Sequence, residues 1–415
     1  MAYLGKVVDC TIVLPIVAAK PQLTENNMTV CMVGWGHTKF GKLEEQGLED
    51  LLIAAAREAL DDAGLEPSEI DAIYVGTFNA GMSEQDFISS MALQVSDAFR
   101  FLPATRVENA CGTGSAAVFQ AANLIEAGHA RRVLAIGVEK MTHLSSGDVG
   151  TCLSRASYMP EEGSQGLTFP GIFGVVAGKY FQQYGDHSDA LALIASKNHK
   201  NGSVNPLAHM QKDFGFDFCR AESDKNPIVA GPLKRTDCSM ISDGAAAVVL
   251  TDEDTAKGHK KAIAIRARAQ ANDYLPMSKR DVIAFEGPAT AWRKGLDAAG
   301  LALSDLSLVE THDCFTIAEL IQYEAMGLTE PGDGATALKE GWVYKDGKLP
   351  VNASGGLKAK GHPVGATGVS MHVMAARQLM DDAGDMQIKD AKIAGVFNMG
   401  GAAVANYVSI LERVK

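Results

Sequence analysis

The sequence contains no C-x-x-C pair and no cysteine–histidine spacing of the kind that encloses zinc, although it carries seven cysteines and ten histidines. The cysteines stand singly and in odd number, which argues against a disulfide framework and for reduced thiols in a reducing compartment. Basic runs are missing as well. With 38 Lys and Arg against 50 Asp and Glu the net charge is -12, so nothing is present that would release counterions from a nucleic-acid backbone. A few local cations can still serve one phosphate-bearing ligand. No window is long and apolar enough to span a bilayer. What remains is an ordinary globular composition, 47% hydrophobic and 21% charged over 415 residues. That is enough for two or three domain-sized units, or for one large duplicated fold.

The 42 glycines cluster at a few turns, and the turns repeat. Leu60-Asp61-Asp62-Ala63-Gly64-Leu65 closes an amphipathic helix expected over 46–63, and Leu296-Asp297-Ala298-Ala299-Gly300-Leu301 closes another over 291–299. Each is followed by a strand, 71–75 and 306–309. Cys111-Gly112-Thr113-Gly114 opens a helix running to Ala127, followed by a strand over 133–138; Gly365-Ala366-Thr367-Gly368 opens one to about Met380, followed by a strand over 393–397. Two halves in the same order imply duplication of an α/β layered unit. Between them, 145–235 reads as irregular, Gly-, Phe- and Met-rich, a long insertion covering a site. The pattern begins near Met28. Residues 1–27 read as an N-terminal extension, because the apolar stretch 10–19 is interrupted by Pro15 and lacks the basic start of a secretory signal.

Four segments can carry chemistry. Cys111 stands at a helix start, where free N–H groups and the positive dipole end are expected to lower its pKa from about 8.5; a small cysteine filling a tight turn is the competing reading. His362, between Gly361 and Pro363, is held in a rigid turn, suited to deprotonate a thiol or to donate to an oxyanion. His312, Asp313 and Cys314 follow a strand's C-terminal end, the usual ligand side of α/β sheets, although Asp313 taken alone reads as a helix N-cap and Cys314 as core. The glycines of Asn398-Met399-Gly400-Gly401 offer backbone N–H groups or form a close-packed turn.

Taken together with Ser242-Asp243-Gly244, these blocks resemble the thiolase family in content and order, in particular its sterol-carrier-protein type and the acetyl-CoA acetyltransferase-like members. The resemblance runs from about Thr29 to the C-terminus. It implies a duplicated thiolase fold, two βαβαβ-type halves in an α-β-α-β-α layering, with 28–144 plus 236–258 as the first half, 145–235 as the loop domain and 259–415 as the second half. It implies an acyl-CoA C-acyltransferase working through an acyl-cysteine, in thiolytic cleavage or Claisen condensation. Cys111 would be the nucleophile, His362 its activator, His312 part of the enolate's oxyanion site, and the N–H groups of Cys111 and Gly400 the second oxyanion site. Many thiolases carry an acid/base cysteine where this chain has Asn398; in the sterol-carrier-protein type that role falls to Cys314. Ser239 matches a position that contacts the pantetheine arm. Coenzyme A enters as a substrate, and no metal or further cofactor is implied. Relatives are homodimers or homotetramers, some with a small OB-fold, zinc-ribbon partner protein.

A decarboxylating ketoacyl synthase shares the cysteine–histidine–histidine order, but decarboxylation generates the carbanion without a thiol base, so Cys314 would have no use there. Thiolase-like aldolases tend to lack the nucleophile, and a degenerate lipid-binding subunit would not keep the whole set. The terminal Arg413-Val414-Lys415 is not a peroxisomal address, so the cytoplasm is the default. Deleting residues 1–27 is expected to leave folding and activity nearly intact, checked by solubility and turnover of the shortened chain; an insoluble or inactive product would place the extension in the core or an interface.

Overall fold

The computed structural model describes residues 29–415; the extension assigned to 1–27 lies outside the described residues. Eleven strands are formed among the described residues. They are β1 (Val30–His37), β2 (Ala72–Gly76), β3 (Ala104–Val107), β4 (Arg132–Glu139), β5 (Ile228–Ala230), β6 (Leu233–Lys234), β7 (Gly244–Asp252), β8 (Ile263–Asn272), β9 (Leu308–Thr311), β10 (Ile393–Gly400) and β11 (Ala405–Arg413). Apart from the β5–β6 hairpin they join one sheet, in the order β3-β2-β4-β7-β1-β8-β11-β10-β9.

The register shows the duplication directly. β2 and β4 are parallel, β4 and β7 antiparallel, β7 and β1 antiparallel. β9 and β10, β10 and β11, β11 and β8 repeat that series in the second half. The halves meet edge to edge where β1 pairs with β8, Val30 opposite Ile265 and Met32 opposite Ile263. The repeated Leu-Asp-x-Ala-Gly-Leu segments end the helices Leu48–Ala63 and Glu286–Ala299 in the same way, with Gly64 at φ 68° and Gly300 at φ 64°. Both satisfy the last carbonyls through the left-handed residue.

Layers follow from which faces are apolar. In β4, Val133 and Ala135 face one core, Leu134, Ile136 and Val138 the other, so alternate side chains are buried on both sides of the sheet. The outer core is closed by Leu48–Ala63, and the second half by Glu286–Ala299 against β8 and β11. Between the half-sheets lie the two inner helices, Thr113–Glu126 and Thr367–Leu379, packed on each other. They meet where no side chain intervenes. A Cβ on Gly114 would lie 2.7 Å from the Gly368 and Val369 nitrogens, and one on Gly368 would overlap Ser115 N and Asn398 Oδ1.

One expectation is overturned. The segment 145–235 is largely helical, with helices Ser146–Ser154, Phe169–Tyr184, Ser188–Ser203 and Gly215–Arg220. Its glycines suggested irregular chain, yet Gly174 sits mid-helix because a Cβ there would meet the Ala230 backbone at 3.0 Å. Tertiary packing outweighs the low helix propensity of glycine. Among the described residues no helix is long and apolar enough to cross a membrane.

Gly368→Ala is expected to lower stability by about 1–3 kcal/mol, the usual cost of overpacking against atoms that cannot move. Gly150→Ala, in the helix Ser146–Ser154 with nothing within 4 Å of the new methyl, is expected to be neutral or to gain about 0.5–1 kcal/mol. Thermal melting of both variants checks the contrast, and equal melting points would refute it.

Candidate active site

The chain enters the site from β3 through a turn in which Ala110, a non-glycine residue, holds φ 48°. Such left-handed strain persists where surroundings enforce it. Here Asn109 N donates to Thr113 Oγ1 at 2.7 Å, Gly112 N to Asn109 O at 3.0 Å, and Asn109 Nδ2 to the Tyr407 hydroxyl at 2.5 Å. Cys111 is thereby fixed just ahead of the inner helix Thr113–Glu126. The equivalent turn of the second half carries His362, five residues ahead of Thr367, at the start of the other inner helix. His312 follows the end of β9, and Asn398 lies on β10.

The structure brings three of the four candidate side chains together. The Cys111 sulfur and one ring nitrogen from each of His312 and His362 all lie within 4.8 Å of one another, and the two rings stand perpendicular with centroids 5.2 Å apart. Their hydrogen bonds assign the tautomers. Thr367 Oγ1 donates to Pro363 O at 2.9 Å, so it accepts from His362 Nδ1–H at 2.6 Å and leaves a lone pair on Nε2. Asn398 Nδ2 donates both to the Cys111 carbonyl at 3.0 Å and to His312 Nδ1 at 2.9 Å. His312 therefore carries its hydrogen on Nε2, a buried atom with no partner among the described residues. One histidine presents a lone pair and the other an N–H.

Burial reverses one expectation. Cys111 is only 6% exposed, and burial pushes its thiol up to about 12, with the Glu139 charge adding and the Gly401 N–H opposing. The helix-start argument fails because the N–H groups of Gly112 and Thr113 are consumed by the turn, on Asn109 O and Ala110 O. His362 is lowered to about 3 by burial and then by the Lys360 charge, and His312 falls well below its usual value by burial and then by His362. All three shifts favour the uncharged forms, a thiol beside two neutral imidazoles.

Cys314 lies outside that trio. Burial holds its thiol well above the ordinary value, and the charges of Cys111 and Asp313 add to this. Gly400 ends β10 against the turn, where a Cβ would overlap Asn109 O; the backbone N–H groups that oppose the effect of burial on the Cys111 thiol are those of its neighbour Gly401 and of Cys111 itself. Ser239 N donates to Cys314 O at 2.9 Å, and Ser239 lines a cleft of about 650 Å³ together with His199, Lys212, Lys225, Arg235 and Lys358. Apolar side chains, Phe78, Met82, Met141, Val149 and Val364, surround Cys111 on another side.

Sequence reading passed over three contributors: Asn398 as a hydrogen-bond donor, Thr367 and Glu139. Thr367 was visible within the Gly-Ala-Thr-Gly turn, but Glu139 left no signal. Its buried carboxylate accepts from Thr77 Oγ1, Phe78 N, Asn79 N and Gly365 N at 2.8–3.1 Å. Burial raises it to about 7 in spite of those donors. Asp313 caps a helix, though not the one that follows it. It accepts from Leu357 N at 2.6 Å and Lys358 N at 3.1 Å, at the turn Gly356–Ala359. A thiolate with two imidazoles is also a donor set able to hold zinc.

The chain is similar to known proteins over most of its described length. The sequence model described as "Thiolase, N-terminal domain" matches residues 30–254, and the one described as "Thiolase C-terminal domain-like" matches 269–413. An acetyl-CoA acetyltransferase of Methanothermobacter thermautotrophicus is 36% identical over 92% of this chain and 99% of its own length. Human sterol carrier protein 2 is 34% identical over 90% of this chain and 70% of its own length. A solved structure titled "Ltp2-ChsH2(DUF35) aldolase" superposes with a TM-score of 0.77 at 23% identity, over 92% of this chain and 97% of that one.

Because the thiol is raised to about 12, alkylation of Cys111 by iodoacetamide is expected to accelerate about tenfold per pH unit above neutrality, since only the thiolate reacts. Peptide mapping across that range checks it. A rate already level at pH 7 would reveal a resting thiolate–imidazolium pair instead.

Proposed function

The chain belongs to the thiolase family, and on that premise we propose how its site performs acyl transfer between coenzyme A and Cys111. The enzyme is an acyl-CoA C-acyltransferase, cleaving 3-oxoacyl-CoA thiolytically or condensing two acyl-CoA molecules. The observation that carries the reading is the convergence of the Cys111 sulfur with His312 and His362 within 4.8 Å, from opposite halves of the duplication.

In acylation the Cys111 sulfur attacks the substrate carbonyl while His362 Nε2 takes the thiol proton. A soft nucleophile that is also a good leaving group serves both half-reactions. A thiol raised to about 12 favours this concerted transfer over a standing thiolate. The tetrahedral oxyanion is assigned to backbone N–H groups at Cys111 and the Gly400–Gly401 turn. When the bond cleaved is carbon–carbon, acetyl-CoA departs as an enolate whose oxygen faces His312 Nε2–H. Cys314 then gives the enolate carbon its proton; burial keeps that thiol protonated, as this direction requires. In condensation the same proton travels the other way. After cleavage coenzyme A takes the acyl group from Cys111; in condensation the enolate carbon takes it instead.

The approach route supports the reading. Ser239 joins the cleft to the Cys314 backbone, and Lys212, Lys225, Arg235 and Lys358 give that cleft a cationic lining in a chain of net charge -12. Phosphates of coenzyme A match it. The apolar side chains around Cys111 suit an uncharged acyl group. The site as proposed uses no metal. A homodimer or homotetramer belongs to the same proposal, supported by the edge position of β3 and the exposed Phe87 and Phe101 near it. So do a small OB-fold, zinc-ribbon partner and a cytoplasmic setting.

Incubation with acetoacetyl-CoA and free coenzyme A should consume the enolate absorbance, and Cys111→Ala should abolish this together with the acetyl adduct seen by intact mass. Cys314→Ala should still accept acetyl on Cys111 but lose thiolysis by about two to four orders of magnitude. Normal thiolysis in that variant would remove Cys314 from the mechanism.

A further inference from the structure

The atoms that converge on the site have the chemistry of a metal site as well as a catalytic one. The Cys111 sulfur and a nitrogen of each histidine lie within 4.8 Å of one another, and one thiolate with two imidazoles suits zinc or cobalt. A metal needs a lone pair from each ring. His362 has one on Nε2, because its Nδ1–H is taken by Thr367 Oγ1 at 2.6 Å. His312 has none to offer, because Asn398 Nδ2 donates to its Nδ1 at 2.9 Å and leaves the hydrogen on the unpartnered Nε2. Nor can the amide simply turn over. Its Nδ2 also donates to the Cys111 carbonyl at 3.0 Å, and reversal would set two carbonyl oxygens against each other.

We propose that Asn398 is a positioning residue that decides between two uses of this cluster. As an amide it holds His312 as an Nε2–H donor and prevents Cys111, His312 and His362 from closing around a metal. A carboxylate at the same position only accepts hydrogen bonds. It would draw the hydrogen to Nδ1, expose the Nε2 lone pair, and stand behind His312 as carboxylates commonly stand behind metal-bound histidines. Metal binding would then release the Cys111 thiol proton to solvent as the metal–sulfur bond forms, with no electron transferred. The proposal rests on the reading of His312 as the enolate's donor.

The test is Asn398→Asp in the full chain, titrated with CoCl₂ and followed by the thiolate-to-cobalt charge-transfer band. The variant is expected to bind about 10–100-fold more tightly than the unaltered protein, the usual size of such an outer-partner effect. The band should vanish when Cys111→Ala is added. Its kcat for thiolysis should fall about 10²–10³-fold, as for loss of one oxyanion donor, with the KM for coenzyme A little changed. Nitrogen-15 shifts of the unaltered protein, with the His312 signal identified by its loss in His312→Gln, should report hydrogen on Nε2. Equal cobalt affinity in the two proteins, or hydrogen on Nδ1 in the unaltered one, would overturn the proposal. Should Asn398→Asp fail to fold, the nitrogen shifts decide alone. Absence of thiolase turnover in the unaltered protein would instead strike at the functional reading, and leaves the cobalt and nitrogen results standing.

Discussion

Two helices begin against each other with no side chain between them, and the site exists because of that contact. Gly114 and Gly368 face across the junction of the halves, where any Cβ would run into backbone. Cys111 lies one turn ahead of Gly114, and His362 not quite two turns ahead of Gly368. Bringing the glycines together therefore brings Cys111 and His362 together. The pairing of β1 with β8 does the same for the sheets, so the strand ends that carry His312 and Asn398 open onto the same place. An internal duplication is in this sense a device for convergence: each half supplies a strand-to-helix turn, and the pseudo-symmetric contact turns two ordinary turns into one pocket.

Around that contact, buried carboxylates hold the loops. Glu139 gathers the chain at Thr77–Asn79 and the turn at Gly365. Asp313 gathers the turn at Leu357 and the helix residue Asn198. Asp243 gathers Leu43, Met141, Thr142 and Lys140. Burying a carboxylate is costly unless its oxygens are fully engaged, and here each set of donors comes from segments distant in the chain. The remaining imbalance shows in their acidities. Burial leaves Glu139 raised to about 7, and it raises Asp313 as well, with the Glu319 charge adding there. At Asp243 burial is outweighed by Lys140, Thr142 and backbone donors, and the carboxyl stays below the usual range.

The division of labour between the histidines has the same origin. His312 and His362 are the same residue type, yet Thr367 makes one an acceptor and Asn398 makes the other a donor. The Asn398 block was recognisable as a motif, and its lack of an acid–base equilibrium was plain. Its role as a donor was not, because the two groups it binds lie 86 and 287 residues away. The helical content of the segment covering the site was hidden for a related reason: its glycines answer to the backbone packed against them, as Gly174 does to Ala230.

The sequence by itself determined the duplication, the order of the blocks and the candidate side chains of the site. These are local matters: a repeated helix ending, a glycine-rich turn beside a cysteine, a histidine held between glycine and proline. Only the tertiary structure decided how those side chains behave. Whether Cys111 rests as thiol or thiolate depends on exclusion of water, and which nitrogen of each histidine carries hydrogen depends on Thr367 and Asn398, which the fold sets against the rings. Local sequence predicted a lowered thiol pKa from the helix start. Desolvation in the folded chain raises it, because burying a charge costs more than two partial dipoles, already engaged in a turn, can return.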